Sequence, residues 1–373
     1  MKGLKSALAV AVLLGCLGGA AVADEVKVGA VAPLSGAQAI FGESLQNGMK
    51  LYFSEVNAKA GANGHTYVLV QGDDKGDPRE GTLVGQKFCD NEQIVAVLGH
   101  LNSGVQLAAL PVYEGCQMPE VVLGSNPSIT KQGATNFVRP TANDFEQAGV
   151  AAKYALQTQG FKRAAVVNDK QAFGQGVSKI FSEKFKGSGG EVVATASVNP
   201  TDIDFSAVIA QIKAQKPEVV YFGAVMPQLA LFAKQMKEQG LKAQLIVPDG
   251  AYTSDFIKQA GEAAQDTLVT FPIPPADANP QLVEFGNSYK KMFGEEPGPY
   301  SAYGYIAAQI IVKAISDSGV KPTRENVLPK LKGVKLDTIL GSVAFEEDGE
   351  LTTAPMYLYK VEGSEFKMIA DNK

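Results

Sequence analysis

The chain has 373 residues, of which 45% are hydrophobic, with 34 basic against 39 acidic side chains, two histidines and three cysteines. This length allows about two domains with their own cores. The net charge of −5 and the lack of a basic stripe argue against nucleic acid and anionic membranes as partners. Two histidines cannot build a site of several imidazoles, and the motifs HExxH and GxxxxGKS/T do not occur. We therefore expect no metal and no cofactor.

The first 23 residues have the pattern of a secretory signal peptide. Two lysines precede an apolar run from Ala7 to Leu17, which is too short to span a bilayer comfortably. A small-x-small cleavage pattern ends at Ala23, so the mature chain should begin at Asp24 and be exported. Processing at Cys16, as in a lipoprotein, is the alternative and would tether the protein to a membrane.

Cys89 and Cys116 are the two cysteines that follow the predicted signal peptide. Since an exported protein meets an oxidising compartment, we interpret them as a disulfide rather than as a catalytic or metal-binding pair. Two separately buried thiols are the alternative interpretation.

Strands alternate with amphipathic helices along most of the chain. The first series predicts strands at 26–31, 66–70, 94–98 and 120–123, and helices around 45–56, 78–90 and 103–114. The second predicts helices at 144–158, 175–186, 205–214 and 228–238, and strands at 164–167, 192–196, 219–222 and 244–247. After a proline-rich interruption come helices near 281–293 and 300–318 and strands at 342–345 and 356–359. The pattern predicts an α/β protein with two doubly wound lobes of mainly parallel sheet.

Loops that follow strands are the candidate binding positions, because ligands in open α/β sheets bind beyond the carboxyl ends of the strands. Ser103 opens a helix after the strand at 94–98, where a hydroxyl and free N–H groups form an anion site. Ser125 offers a second hydroxyl after the next strand, and Phe41 places an apolar ring at a helix start. Each has a simpler interpretation: a helix cap for Ser103, a turn for Ser125 and a packed helix entry for Phe41.

Asp249 follows the strand at 244–247 and faces the same predicted cleft from the second lobe. A lone aspartate before glycine is more often a turn residue. Hydroxyls and N–H groups on one lobe, opposed by a carboxylate on the other, would instead complement a molecule with an α-carboxylate and an α-ammonium group.

Eight short strings occur in a characteristic order along the chain: VGAVAPLSG at 28–36, IFG at 40–42, DD at 73–74, DP at 77–78, GHLNS at 99–103, NDKQAFGQG at 168–176, PDG at 248–250 and YGY at 303–305. In this order they resemble the periplasmic branched-chain amino-acid binding proteins of the Leu/Ile/Val type. The resemblance covers nearly the whole chain after the predicted signal peptide.

The resemblance implies the type I periplasmic-binding-protein fold, in which two lobes joined by three crossovers close on a solute. For this chain it implies a first lobe of 24–143 plus 273–350 and a second lobe of 144–272 plus 351–373. The expected protein is a periplasmic monomer and not an enzyme. It would bind an amino acid, branched-chain or otherwise apolar, and deliver it to the permease subunits of an inner-membrane ABC transporter.

The resemblance also implies roles for individual residues. Ser103 and Ser125 would hold the α-carboxylate, Asp249 would hold the ammonium group, and Leu123 would offer its carbonyl to that ammonium group. The remaining expected wall residues are aromatic or apolar: Phe41, Phe173, Val225 and Tyr300.

The chain departs from the family pattern in three places. Asp249 stands where the family has Glu, and Val225 stands where it has an aromatic residue. The usual cysteine pair would fall at Gly76 and Asn102. The two changes in the site alter the side-chain pocket, so leucine is one candidate ligand among several.

Two other functions are compatible with an exported α/β protein. A sensor module would bind a small amide or carboxylate and signal its occupancy to a membrane receptor, and neighbouring genes would distinguish sensing from transport. An exported Rossmann-like enzyme would need a cofactor fingerprint or a nucleophile with its base, and no GxGxxG follows the first strand.

Overall fold

The structure is a computed structural model that describes residues 24–59, 64–319 and 321–372. The predicted signal peptide at 1–23 and the alternative processing site at Cys16 lie outside these residues. Within the described ranges, two large β-sheets form, each packed against helices, so the predicted fold class of two α/β lobes is confirmed. No helix in these ranges is both long and apolar enough to cross a bilayer.

The first sheet and its helices come mainly from the first third of the chain. The strands are β1 (Asp24–Ala32), β2 (His65–Asp73), β3 (Ile94–Leu98), β4 (Glu120–Val121) and β5 (Phe137–Val138). The helices are α1 (Ala39–Ala58), α2 (Pro78–Asp90) and α3 (Ser103–Gly115). The strands are parallel and lie in the order β2-β1-β3-β4-β5. Every residue of β3 is buried, as is typical of a strand in a parallel sheet with both faces covered.

The middle of the chain builds the parallel part of the second sheet. Its strands are β6 (Arg163–Asn168), β7 (Glu191–Ser197), β8 (Val219–Gly223), β9 (Gln244–Val247) and β10 (Leu268–Phe271). Its helices are α4 (Asp144–Lys153), α5 (Ala172–Gly187), α6 (Ser206–Ala214), α7 (Gln228–Glu238) and α8 (Ser254–Ala260). A π-helical turn, Tyr154–Thr158, continues α4. The parallel strands lie in the order β10-β9-β8-β6-β7.

The last part of the chain divides between the two sheets. It contains α9 (Pro280–Phe293), α10 (Ser301–Ser318), α11 (Arg324–Leu331), β11 (Leu336–Thr338), β12 (Gly341–Val343), β13 (Tyr357–Glu362) and β14 (Glu365–Asp371). Helices α10 and α11 pack against β3 of the first sheet. Strand β13 extends the second sheet antiparallel to β10, and β14 pairs antiparallel with β13. The chain therefore passes between the lobes after β5, after β10 and before β13. The sequence predicted α9, α10 and strands near β12 and β13, but missed β5, β10, β11, β14, α8 and α11.

Glycines allow α1 and α10 to pack at close range. A Cβ atom added at Gly48 would lie 1.8 Å from the carbonyl oxygen of Ser301, and one added at Gly304 would lie 1.8 Å from that of Leu45. The hydroxyls of Ser44 and Ser301 are 3.1 Å apart in the same contact. Helix α10 is therefore built into the core of the first lobe.

Gly304→Ala should lower the melting temperature, because the new methyl group cannot fit without separating α1 from α10. Such overpacking typically costs about 1 to 3 kcal/mol. Gly286→Ala in α9 is the matched control, since a Cβ atom there meets nothing within 4 Å and alanine favours a helix interior. Thermal unfolding should show a lower midpoint for the first variant only; equal midpoints would contradict the close packing.

A disulfide joins Cys89 in α2 to Cys116, the residue that follows α3. The two cysteines are 27 positions apart, and they connect two helices that pack against each other. The structure thus contains the bond that the sequence predicted, and it lies wholly within the first lobe.

Candidate functional site

A cavity of about 60 Å³ lies between the carboxyl ends of the two sheets. Its walls come from loops and helix starts that follow β1, β3, β4, β6, β8 and β9, and from the start of α10. All eight residues that the sequence selected line it: Phe41, Ser103, Leu123, Ser125, Phe173, Val225, Asp249 and Tyr300. The two lobes therefore bring these residues together, although they are spread over most of the chain.

One end of the cavity is suited to an anion. Ser103 is the first residue of α3, is 2% exposed, and its Oγ accepts a hydrogen bond from the Asn126 N–H at 3.2 Å. The His100 carbonyl accepts hydrogen bonds from the N–H groups of Leu123 and Gly124, at 3.3 and 3.1 Å. These bonds hold the loops after β3 and β4 as one unit. The positive end of the α3 dipole and its free N–H groups add to the attraction for an anion.

The His100 side chain holds the loops after β3 and β4 from inside the first lobe. Its Nδ1 lies 2.7 Å from Asp74 Oδ2, its Nε2 lies 3.2 Å from the Tyr113 hydroxyl, and all three side chains are buried. We assign His100 a structural role, because its ring nitrogens are engaged inside the lobe. In the ranges that the structure describes, no group of three or more His, Cys, Asp or Glu is arranged to hold a metal ion.

The second lobe contributes Asp249, which follows β9, to the same cavity. The Tyr300 hydroxyl donates to Asp249 Oδ2 at 2.7 Å, and the Asp249 N–H donates to Gln147 Oε1 at 2.8 Å. The Thr270 hydroxyl donates a hydrogen bond to the same Gln147 oxygen at 2.9 Å. Burial raises the pKa of the Asp249 carboxyl group, and the hydrogen bonds from Tyr300 and Gln147 only partly oppose this rise. A cation beside Asp249 would relieve the cost of burying its charge.

A second acid, Asp144, lies close to Asp249, and the sequence gave no reason to select it. It is the first residue of α4 and is fully buried. Neither carboxylate oxygen has a hydrogen-bond partner of acceptable geometry within the described residues. Burial, and to a smaller extent the charge of Asp249, raise the pKa of Asp144 to about 7, although the Ser125 hydroxyl, the charge of Arg139 and the Gln147 side chain oppose the rise. Asp144 does not line the cavity, but its negative charge, close to that of Asp249, adds to the preference of this region for a cation.

Apolar side chains form the rest of the cavity. The rings of Phe41 and Tyr300 meet edge to face at 5.6 Å. Val225 packs so closely on Gly250 that a Cβ atom added there would lie 2.9 Å from Val225 Cγ1. The other wall residues, which the sequence analysis did not select for the site, include Leu45, Leu101, Pro272, Tyr303 and Met356. This lining suits an apolar side chain of a ligand.

The two lobes are in direct contact around the cavity. The Asn126 side chain, after β4, donates to the Ala172 carbonyl, at the start of α5, at 2.7 Å. Gly176 permits this approach, because a Cβ atom there would lie 2.4 Å from Asn126 Nδ2. The bond from Tyr300 to Asp249 joins the lobes on the other side of the cavity. The structure is therefore a closed arrangement of the two lobes.

Comparison with known proteins assigns the chain to a family. The model of a family described as periplasmic binding protein matches residues 25–365. The Leu/Ile/Val-binding protein homolog 1 of Brucella melitensis is 34% identical over 362 residues, which cover 97% of this chain and 96% of that protein. Homolog 2 of Brucella abortus is 33% identical over 345 residues, which cover 92% of each chain.

A solved structure shows the same fold. The leucine-binding protein LivK of Thermotoga maritima superposes with a TM-score of 0.86 at 26% identity, covering 93% of this chain and 98% of that one. The family consists of binding proteins rather than enzymes, and its location is outside the cytoplasm. The chain belongs to the periplasmic binding protein family.

Proposed function

We propose that the chain captures an amino acid with an apolar, branched side chain and delivers it to an ABC transporter of the inner membrane. The observation that carries this proposal is that one cavity combines serine hydroxyls and helix N–H groups from the first lobe, a carboxylate, Asp249, from the second lobe, and an apolar wall. The relatives named Leu/Ile/Val-binding proteins and the leucine-binding neighbour support the same ligand class.

The proposed orientation of the ligand follows from the charges of the cavity. The α-carboxylate would meet the hydroxyls of Ser103 and Ser125 and the first N–H groups of α3. The ammonium group would lie near Asp249, with the carbonyl of Leu123 as a further acceptor. Asp144 does not line the cavity, but near Asp249 it would add a second negative charge that favours the ammonium group. The side chain would then face Phe41, Phe173, Val225 and Tyr300.

The proposed mechanism is closure of the lobes, which we divide at 24–143 plus 273–350 and 144–272 plus 351–373. A ligand held by Ser103 on one lobe and Asp249 on the other binds the closed form more tightly than the open form, and so shifts the population toward closure. The contact between Asn126 and Ala172 supports this mechanism, because it forms only when the lobes meet. Small-angle scattering should report a smaller radius when the ligand is added.

We further propose that residues 1–23 are removed as a signal peptide and that the mature protein begins at Asp24. Mass spectrometry of the protein from the periplasm tests this proposal directly. A mass that corresponds to an N-terminal lipidated Cys16 would instead support the lipoprotein alternative.

A melting-temperature screen tests the proposed ligand class. L-leucine, L-isoleucine and L-valine would be compared with 4-methylpentanoate, which lacks the ammonium group, and with L-leucinamide, which lacks the carboxylate. A ligand present at a hundredfold excess over its Kd stabilises the native state by about 2.7 kcal/mol, which gives a clear shift in Tm. At least one branched-chain amino acid should raise the Tm more than either analogue. A shift with 4-methylpentanoate and none with the amino acids would overturn the proposal.

Ligand affinity should rise with pH through the range around 7. Asp144, whose pKa is about 7 without ligand, is largely protonated below that pH, whereas a bound ammonium group favours its ionised form. Binding must then release a proton, so the affinity should fall by up to about tenfold per pH unit below 7. Titration calorimetry at pH 7 in buffers of different ionisation enthalpy should detect the released proton.

The stability of the ligand-free protein should change with pH in the opposite direction. The pKa of Asp144 is raised above its value in the unfolded chain, so the folded state binds more protons between pH 4 and 7. Its contribution to stability therefore decreases as the pH rises through this range. Asp144→Asn should reduce both trends without abolishing them, because burial also raises the pKa values of Asp249, Glu120 and Asp169. An affinity that does not vary from pH 5.5 to 8 in the parent protein would contradict the placement of the ammonium group.

A further inference from the structure

A buried charge lies behind the anion-binding end of the cavity but does not line it. Arg139, which follows β5, is fully buried and is the largest such side chain among the described residues. A buried guanidinium is costly unless its donors are matched by acceptors. Here the acceptors come from three separate segments of the chain.

The first set of acceptors belongs to the loop that carries Ser125. Arg139 Nη1 donates to the Gly124 carbonyl at 2.7 Å and to the Asn126 carbonyl at 3.1 Å. These two carbonyls flank Ser125 on both sides. Because both of them are turned toward the guanidinium, the path of the backbone at Ser125 is fixed.

The second set of acceptors consists of Glu350, from a distant part of the sequence, and Thr130. Arg139 Nε donates to Glu350 Oε2 at 3.1 Å, and Nη2 donates to Glu350 Oε1 and, at 2.7 Å, to the Thr130 hydroxyl. Glu350 belongs to the segment that leads from β12 to β13, which is one of the passages between the lobes. Burial tends to raise the pKa of Glu350, but the hydrogen bond and charge of Arg139, together with hydrogen bonds from Thr130 and Asn143, hold the pKa below its usual value.

We propose that Arg139 is a positioning residue for the ligand's carboxylate, and that Glu350 holds Arg139 in the orientation that this role requires. The inference rests on the proposed function, because it assigns Ser125 to the carboxylate of an amino acid. Arg139 itself does not line the cavity and acts through the loop of Gly124 to Asn126. The passage between the lobes that contains Glu350 is thereby connected to the ligand site through one side chain.

If Arg139 only stabilised the fold, replacing it would lower the melting temperature without weakening ligand binding. Arg324 provides the matched control for that outcome. Its guanidinium also donates to several backbone carbonyls of the first lobe, namely those of Phe88, Cys89, Asn91 and Ile94. None of these residues lines the cavity. A lysine at either position loses the planar set of donors that several acceptors require.

The test compares the variants Arg139→Lys, Glu350→Gln and Arg324→Lys by calorimetric titration with L-leucine, or with L-isoleucine or L-valine if the parent protein binds one of these more tightly. Arg139→Lys and Glu350→Gln should weaken binding by about tenfold or more, because a hydrogen bond to a charged group is worth at least this factor. Arg324→Lys should lower the melting temperature but leave the Kd within twofold of the parent.

A double-mutant cycle separates positioning from general destabilisation. If Glu350 acts through Ser125, adding Glu350→Gln to Ser125→Ala should weaken binding much less than it does alone. Fully additive losses, or a Kd of the folded Glu350→Gln variant within twofold of the parent, would overturn the inference. If Arg139→Lys fails to fold, Glu350→Gln decides alone, since its amide keeps the shape but loses the charge and one of the two oxygens that accept from Arg139. Failure of the parent to bind any of the three amino acids would refute the proposed function instead.

Discussion

Replacing Asp249 with asparagine should weaken the binding of L-leucine by about 30-fold to several thousandfold. In the closed cavity this change leaves the ligand's ammonium group without its charged partner, which typically costs about 2 to 5 kcal/mol. Asparagine keeps nearly the same shape and can still accept the hydrogen bond from Tyr300, so the Tm of the ligand-free protein should not fall. Calorimetric titration and thermal unfolding measure the two effects separately.

Two comparisons sharpen this prediction. Ser125→Ala removes one hydroxyl and should cost only about 0.5 to 1.5 kcal/mol, plus any desolvation that is left unmet. Asp255→Asn changes a half-exposed carboxylate in the first turn of α8 and should leave the affinity unchanged. The Asp249→Asn variant should also lose its preference for L-leucine over 4-methylpentanoate. If it binds L-leucine as tightly as the parent does, Asp249 is only a turn residue and the proposed orientation is wrong.

Removing the disulfide should destabilise the first lobe by about 3 to 4 kcal/mol. Cys89 and Cys116 are 27 positions apart, and in the chain-entropy model a crosslink that closes a loop of this size restricts the unfolded chain by that amount. The double variant Cys89→Ser, Cys116→Ser should therefore melt at a clearly lower temperature. Its ligand preference should not change, because neither cysteine lines the cavity.

Reduction of the parent protein is the natural control for this prediction. A reducing agent should lower the Tm of the parent to that of the double serine variant and should not affect the variant itself. Mass spectrometry after alkylation under non-reducing conditions counts the free thiols. Two free thiols in the exported protein, or equal melting temperatures with and without reductant, would show that the bond does not stabilise the protein in solution.

Much of the candidate site could be predicted because it follows from the topology of parallel sheets. Ser103, Ser125 and Asp249 each stand just beyond the carboxyl end of a strand, and these ends converge wherever two such sheets face each other. Their residue types then indicated groups of opposite charge preference on the two lobes that face the cleft. Of the wall residues, Phe41 was selected from its place at a helix start, whereas Phe173, Val225 and Tyr300 came from the resemblance, since apolar positions in loops have no comparable local signal.

The residues that were missed depend on burial and on distant partners. Asp144 looks like an ordinary acid in the first turn of a helix, where a negative charge is favourable. Its importance arises from its burial and from the proximity of Asp249 and Ser125, which no local pattern reveals. Arg139 and Glu350 are likewise unremarkable in sequence, since the two partners lie 211 positions apart.

The missed strands have local explanations. β10 (Leu268–Phe271) is a short buried run that ends at Pro272, so it resembled the beginning of a proline-rich connection. β14 (Glu365–Asp371) is an edge strand whose side chains are mostly exposed, and it lacks the apolar alternation that identifies a half-buried strand. Both strands are specified by pairing with β13 rather than by their own composition.

The packing of α10 against α1 also has a consequence for how the chain folds. Ser44 and Ser301 meet across a separation of 257 positions, and the side of α1 that faces α10 has no cover until α10 arrives. The core of the first lobe can therefore be completed only when more than three quarters of the chain is available. Native contacts of such long sequence separation make folding slow, since the loop between them must close before the contacts stabilise it. The growing chain therefore stays incompletely folded through most of its synthesis. An incompletely folded chain can still be translocated across a membrane.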